Sequence, residues 1–123
     1  MSMPISEKPF RRLKAVGLTN NSYMLSFVMR ILGRDTIQAF MERYPDSQSS
    51  LKSWVQAVEA NPFKHFNGLR QSFGSADYVR PYTIFNISGN KYRLIALVNY
   101  QIGAVLVQQI LTHSEYEKGK WRK

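Results

Sequence analysis

Between Tyr82 and Leu111 the chain sets short apolar runs between two tight-turn signals, and that layout admits few folds. Tyr82–Ser88 reads as a strand with Phe85 and Ile87 facing one way. Gly89-Asn90 supplies a two-residue turn whose first position needs positive φ, which glycine adopts without a Cβ clash. Lys91–Tyr100 runs back, Gln101–Gly103 turns again, and Ala104–Leu111 completes a three-stranded meander. The last two strands hold continuous apolar runs, Leu94–Val98 and Ala104–Val107, in place of strict alternation. Both faces of that part of the sheet are therefore expected to be covered.

The cover comes from upstream. Phe27–Leu32 reads as a short strand closed by Gly33. Asp35 is placed to cap a helix, with Gln38 three residues on as its capping-box partner. Ile37, Phe40, Met41 and Tyr44 follow at i, i+3, i+4 and i+7, one apolar helical stripe that Pro45 stops. Asp46 or Ser47 caps a second helix, whose Leu51, Trp54, Val55 and Val58 repeat that spacing until Asn61-Pro62. Residues 63–80 are partly helical or irregular, with Phe63, Phe66, Leu69 and Phe73 apolar and Gly74-Ser75 ending the segment. A helical hairpin followed by a meander predicts an α+β domain with the helices on one face of the sheet. Residues 1–28 follow neither period, being broken by Pro4, Pro9, Gly17 and Asn20-Asn21. They read as a disordered basic extension, or as the product of an upstream start assigned in error, ahead of a domain over residues 29–123.

Charge narrows the partners. The net charge is +9, and it is regional. Residues 1–33 carry five lysines and arginines against one acid, residues 34–63 three against four, and residues 64–123 nine against three. A basic terminal half points to a polyanion, with RNA the first candidate. There are no cysteines, so disulfide frameworks and thiolate metal sites are excluded, in keeping with a reducing cytoplasm. The two histidines, His65 and His113, lie too far apart to form a spaced zinc set, and no metal or other cofactor is expected. No apolar run approaches the length of a membrane span, so no membrane partner is expected.

Two clusters can carry chemistry. Alternation puts Lys91 and Arg93 on one face at the start of their strand, where paired cations can hold adjacent phosphates. Thr112 can cap a final helical turn in which His113 and Tyr116 share a face, with Glu117 and Lys118 following. Histidine can transfer a proton near neutral pH, tyrosine can orient a phosphate or stack on a base, and lysine can stabilise charge on a pentacovalent phosphate. Together these groups suit attack by an RNA 2′-hydroxyl on its neighbouring phosphate. The same residues also fit a plain structural role, His113 capping the sheet and Tyr116 packing on the core. His65, between Phe63 and Phe66, reads as a packing residue or a local hydrogen-bonding one. The tail Lys118–Lys123 reads as a frayed end, in which Lys120 can bind phosphate and Trp121 can stack on a base.

At these residues a resemblance enters. Phe85–Leu94, with the pattern Phe-Asn-Ile-x-Gly-Asn-Lys-Tyr-Arg-Leu, and Thr112–Lys118, with Thr-His-x-Glu-Tyr-x-Lys, resemble the HigB toxin family within the RelE-like superfamily. Met29-Arg30-Ile31, Ala39–Asp46 and Leu51–Trp54 are similar to that family as well. The resemblance implies a RelE-like α+β fold: an N-terminal strand and helical hairpin packed on a small antiparallel-rich β-sheet, with a short C-terminal helical turn. It implies a cytoplasmic bacterial toxin of a type II toxin–antitoxin system, an mRNA interferase that cuts mRNA on the ribosome without a metal. Its partner would be a cognate antitoxin, a HigA-like helix-turn-helix protein. Carried over by motif, His113, Tyr116, Lys118 and Arg93 are the catalytic candidates, and Lys91, Arg93 and Lys118 the phosphate-binding ones, to which the basic tail adds Lys120. Relatives carry a basic residue five before the motif histidine, where this chain has Gln108. That departure motivates a second expectation, a RelE-like protein that binds RNA or antitoxin without cutting.

Overall fold

The two helical stripes and the meander appear where their periods put them, in a computed structural model that describes residues 29–122. Phe27, Val28 and the expected extension over residues 1–28 lie outside the described residues, as does Lys123. The elements in order are β1 (Arg30–Leu32), α1 (Arg34–Arg43), a 3₁₀ turn (Pro45–Ser47), α2 (Gln48–Glu59) and α3 (Phe66–Ser72). Then come β2 (Asp77–Val79), β3 (Tyr82–Ile87), β4 (Tyr92–Asn99), β5 (Ala104–Thr112), α4 (His113–Glu117) and a second 3₁₀ turn (Lys120–Arg122).

The meander is the middle of a five-stranded sheet ordered β1-β5-β4-β3-β2. The hairpins β3–β4 and β4–β5 are antiparallel, whereas β1 joins the edge of β5 in parallel, Ile31 opposite Val105. β2 closes the other edge beside β3 and is an addition to the expected meander. Three residues between Gly74-Ser75 and Pro81 are too few to display a period. β4, the central strand, is buried along its whole length. β5 is covered on both faces only over its first half, because Gln108 and Gln109 are exposed.

One face of the sheet carries the main core. Phe85, Ile87, Tyr92, Leu94, Ala96 and Val98 point to it and meet Ile37, Phe40 and Met41 of α1 and Leu51, Trp54 and Val58 of α2. Trp54 stands edge-on to Phe85 at 5.3 Å between ring centroids, the arrangement that opposes ring edge to ring face. The other face is thinner. Ile84 and Ile95 are covered by Trp121, with Val79, Tyr82, Leu111 and Tyr116 at the margin. Up to Arg122 the tail is therefore not frayed as expected, since Trp121 is 4% exposed and serves as the lid of this second face. An indole can bury more apolar area than any other side chain here, and that outweighs ordering a short end.

Local caps depart from expectation in two places. Asp35 and Gln38 form no capping box. Gly33, at φ 87, is the N-cap of α1, and its carbonyl accepts from the Thr36 and Ile37 amides. Asp35 thus lies inside the first turn, where its charge complements the helix dipole, and Gln38 donates to Glu42 at 3.0 Å. Ser47 does hold the N-cap position of α2, but its hydroxyl turns back to donate to Tyr44 O at 2.7 Å. His65 caps α3, its Nδ1 accepting from Gly68 N at 3.1 Å, which is the local role expected of it.

Candidate active site

The site is assembled by the β3–β4 turn and the capped end of β5. Gly89, at φ 68, occupies the turn position that needs positive φ, Ser88 precedes it at φ 54, and Lys91 N closes the turn on Ser88 O at 3.2 Å. Arg93 follows on β4, opposite Asn86 of β3 and Leu111 of β5. Its face is the one Trp121 covers, away from α1 and α2, because neighbouring Tyr92 and Leu94 point into the main core. At 9% exposure Arg93 is nearly buried, and its Nη1 donates to Asn90 O at 2.9 Å and to Tyr92 O at 3.2 Å. The turn's own carbonyls thus fix the guanidinium and leave Nη2 directed to His113 Nδ1, 3.4 Å away.

His113 starts α4, and its backbone N–H donates to Lys91 O at 3.0 Å, which ties the end of β5 to the hairpin turn. Thr112 closes the helix start as expected. Its hydroxyl accepts from Glu115 N at 3.2 Å while the Glu115 carboxylate accepts from Thr112 N at 2.9 Å, a complete capping box. The imidazole sits between two acceptors. Nδ1 is 3.2 Å from Asn90 O, and Nε2 is 3.2 Å from Glu117 Oε1. With Nδ1 engaged by the Asn90 carbonyl and the Arg93 Nη2, Nε2 is the ring atom left to exchange a proton with solvent or substrate. Tyr116 lies one turn further on, with the Arg93 guanidinium carbon 5.3 Å from its ring centroid. A cation on a phenol ring at that range is an attractive contact. Arg93, His113 and Tyr116, separated by up to 23 positions in the chain, therefore meet at one place.

Lys91 does not join them. β4 starts at Tyr92, so Lys91 belongs to the turn, and strict alternation does not extend to it. Its ammonium pairs with Asp46 of the interhelix 3₁₀ turn, and the Tyr92 hydroxyl donates to the other oxygen of the same carboxylate at 2.8 Å. The Lys91 hydrogen bond, then that of Tyr92, holds the Asp46 carboxyl below the usual carboxylate range. The same bond raises the Lys91 ammonium, while burial first and the Asp46 bond second raise the Tyr92 phenol. Lys118 is the C-cap of α4 and Lys120 opens the last 3₁₀ turn, both exposed.

Sequence reasoning missed three participants. Asn90 acts through its carbonyl, which no side-chain pattern reveals. Asp46 reads only as a cap, since nothing local links it to Lys91, 45 positions away. Trp121 was obscured by the basic residues around it. Gln108 is the extra residue of a β-bulge: Ile95 pairs with Gln109 and Ala96 with Val107, which leaves Gln108 unpaired and exposed. A bulge there re-aims the strand just before it delivers His113. Among the described residues no three His, Asp or Glu side chains gather as metal ligands would. A cleft of about 510 Å³ between α1 and α2, floored by Ile37, Met41, Leu51 and Val55, shares no residue with the cluster.

The chain is similar to known proteins over the segment that holds these residues. Residues 47–119, more than half of the chain, match the model of the HigB toxin family, described as the RelE-like toxic component of a toxin–antitoxin system. The mRNA interferase toxin HigB of Escherichia coli strain K12 is 25% identical over 92 residues, covering 72% of this chain and 88% of that protein. The mRNA interferase HigB of Shigella flexneri matches over the same extent. Its counterpart in E. coli O6:H1 strain CFT073 is 25% identical over 93 residues, with 73% and 90% covered.

Proposed function

The chain belongs to the HigB family of RelE-like toxins, and from that premise we propose that Arg93, His113 and Tyr116 form the centre with which it cleaves mRNA. The protein is the toxic component of a toxin–antitoxin system, with an antitoxin as its partner, and an RNA endonuclease. The observation that carries the reading is the convergence of a fixed guanidinium, an imidazole and a phenol on one sheet face. In this reading the 2′-hydroxyl gives up its proton to solvent and attacks the adjacent phosphorus, the P–O5′ bond breaks as the 2′,3′-cyclic phosphate forms, and the 5′-oxygen departs with a proton. His113 handles that proton at Nε2, 3.2 Å from the Glu117 carboxylate. Arg93 Nη2 faces the charge that builds on the phosphate, an interaction strengthened by near-burial. Tyr116 orients the nucleotide. No step in this sequence requires a metal.

Lys118 and Lys120, both exposed beside the cluster in sequence, extend the phosphate track in this reading. Lys91 contributes only when a phosphate displaces Asp46 from its ammonium. The substrate is mRNA on the ribosome, the compartment is the cytoplasm, and the antitoxin is a HigA-like helix-turn-helix protein. Transcript-end mapping after induced expression tests the reading. New internal mRNA ends bearing 2′,3′-cyclic phosphate are expected to accompany growth arrest, and arrest without new ends would overturn it. Gln108, exposed on its bulge without a cation, favours the rival in which RNA or antitoxin is bound but not cut. RNA binding without any new ends would establish that rival.

A further inference from the structure

We infer that Trp121 is a positioning residue for RNA cleavage: it holds Tyr116 against the Arg93 guanidinium beside His113. The inference rests on the functional reading of that cluster and adds a residue beyond the segment matched by the family, which ends at 119.

Two separate contacts of Trp121 converge on Tyr116. The indole and phenol rings stack at 5.0 Å between centroids with 11° between planes. The indole Nε1–H also donates to the Tyr116 carbonyl at 3.0 Å, so ring and backbone of Tyr116 are both held by one side chain. Local geometry makes this possible. Gly119, at φ 74, reverses the chain just after α4, and its amide donates to the same Tyr116 carbonyl at 3.1 Å. The following 3₁₀ turn then carries Trp121 back over the sheet, where Ile84, Ile95 and Tyr82 receive it.

Helix α4 cannot supply this order itself. A five-residue helix is too short to be stable alone, and Tyr116 lies in its last turn, where fraying begins. The capping box secures the other end, at Thr112. Tyr116 is the ring on which Arg93 rests at 5.3 Å, so a loose Tyr116 also removes one wall of the Arg93 site. The C-terminal turn thus completes a stack of indole, phenol and guanidinium, its order set by a residue that need not touch RNA.

The test uses the full-length chain and single-turnover cleavage of a defined mRNA on programmed ribosomes, at a temperature where every variant is folded by circular dichroism. Variants are Trp121→Ala, Trp121→Phe, Tyr116→Ala, the double Tyr116→Ala/Trp121→Ala, and Ile84→Ala. Ile84→Ala loosens the same apolar cluster without removing the stack, and so controls for stability alone. Trp121→Ala is expected to lower the saturating cleavage rate at least tenfold below Ile84→Ala, the scale of a misplaced reacting group, with RNA affinity little changed. Trp121→Phe retains a ring for stacking and is expected to restore most of the rate. The double variant is expected to cleave as slowly as Tyr116→Ala and no slower, because Trp121 acts through Tyr116. A slow Tyr116→Ala with Trp121→Ala as fast as Ile84→Ala would overturn the positioning role alone. A normal rate in Tyr116→Ala would overturn both that role and the reading of the cluster.

Discussion

Removing the Thr112 hydroxyl attacks the site through its support and leaves His113, Tyr116 and Arg93 chemically intact. In Thr112→Ala the Glu115 amide loses its acceptor at 3.2 Å, while the Glu115 carboxylate keeps its bond to the residue 112 amide at 2.9 Å. Half of the capping box is lost, for a cost of about 1 kcal/mol, the middle of the range for such caps. If α4 opens together with the rest of the domain, that cost lowers the melting midpoint by about 4–8 °C. If α4 opens locally, the midpoint moves less and the open population rises roughly fivefold. Either way the fraction of molecules with His113 bonded to Asn90 O and Tyr116 under Arg93 falls, and the cleavage rate falls with it. The assay pairs urea unfolding with single-turnover mRNA cleavage, and Thr112→Ser, which keeps the oxygen, serves as the reference. Thr112→Ala matching Thr112→Ser in both stability and rate would refute the claim that the capping box holds the site.

Arg93→Lys should lower cleavage by roughly 10²-fold, because an ammonium has one nitrogen and cannot hold Asn90 O and Tyr92 O as Nη1 does while presenting a second nitrogen beside His113, and a lost charge-stabilising donor has that scale; a rate within threefold of wild type would exclude the fixed guanidinium. Gly33→Ala should destabilise the fold by about 2 kcal/mol or more, since φ 87 disfavours an L side chain and its Cβ would lie 2.6 Å from Val107 O, seen as a lower urea midpoint. Asp46→Asn should flatten the acid limb of stability. A depressed carboxyl stabilises the fold above its ordinary value of about 3.9, and that contribution disappears as pH falls through the lower folded value. Unfolding at pH 5 and at pH 3 checks this, and an equal acid loss in both proteins would contradict the Lys91–Asp46–Tyr92 contact.

What the sequence revealed and what it concealed follow from the range of the forces involved. The stripes Ile37–Tyr44 and Leu51–Val58 repeat at helical spacing, and Phe85 and Ile87 alternate, so their buried faces were legible from local order. Thr112 reads as a cap from its own turn, which the structure bears out, with Glu115 three residues on as its box partner. Asp35 and Gln38 carry the same signature and form no cap, because Gly33 starts the helix earlier with its carbonyl. The parallel pairing of β1 with β5 joins positions about 74 apart and leaves no mark on either segment. Lys91 shows most clearly where the reading stopped. Alternation groups it with Arg93, but one carboxylate from the interhelix turn draws it elsewhere. Trp121 was hidden by its neighbours Lys120 and Arg122, whose charges describe the surface above it and not the cavity it fills.

The central claim is that His113, held by Asn90 O and facing Arg93, moves the proton when mRNA is cut. The cleavage rate of folded His113→Ala on ribosome-bound mRNA tests it most directly. The account predicts a fall of at least 10²-fold, the usual contribution of a positioned proton-transfer group, with the urea midpoint close to that of wild type because His113 is exposed. A His113→Ala protein that cuts within threefold of the wild-type rate would contradict it.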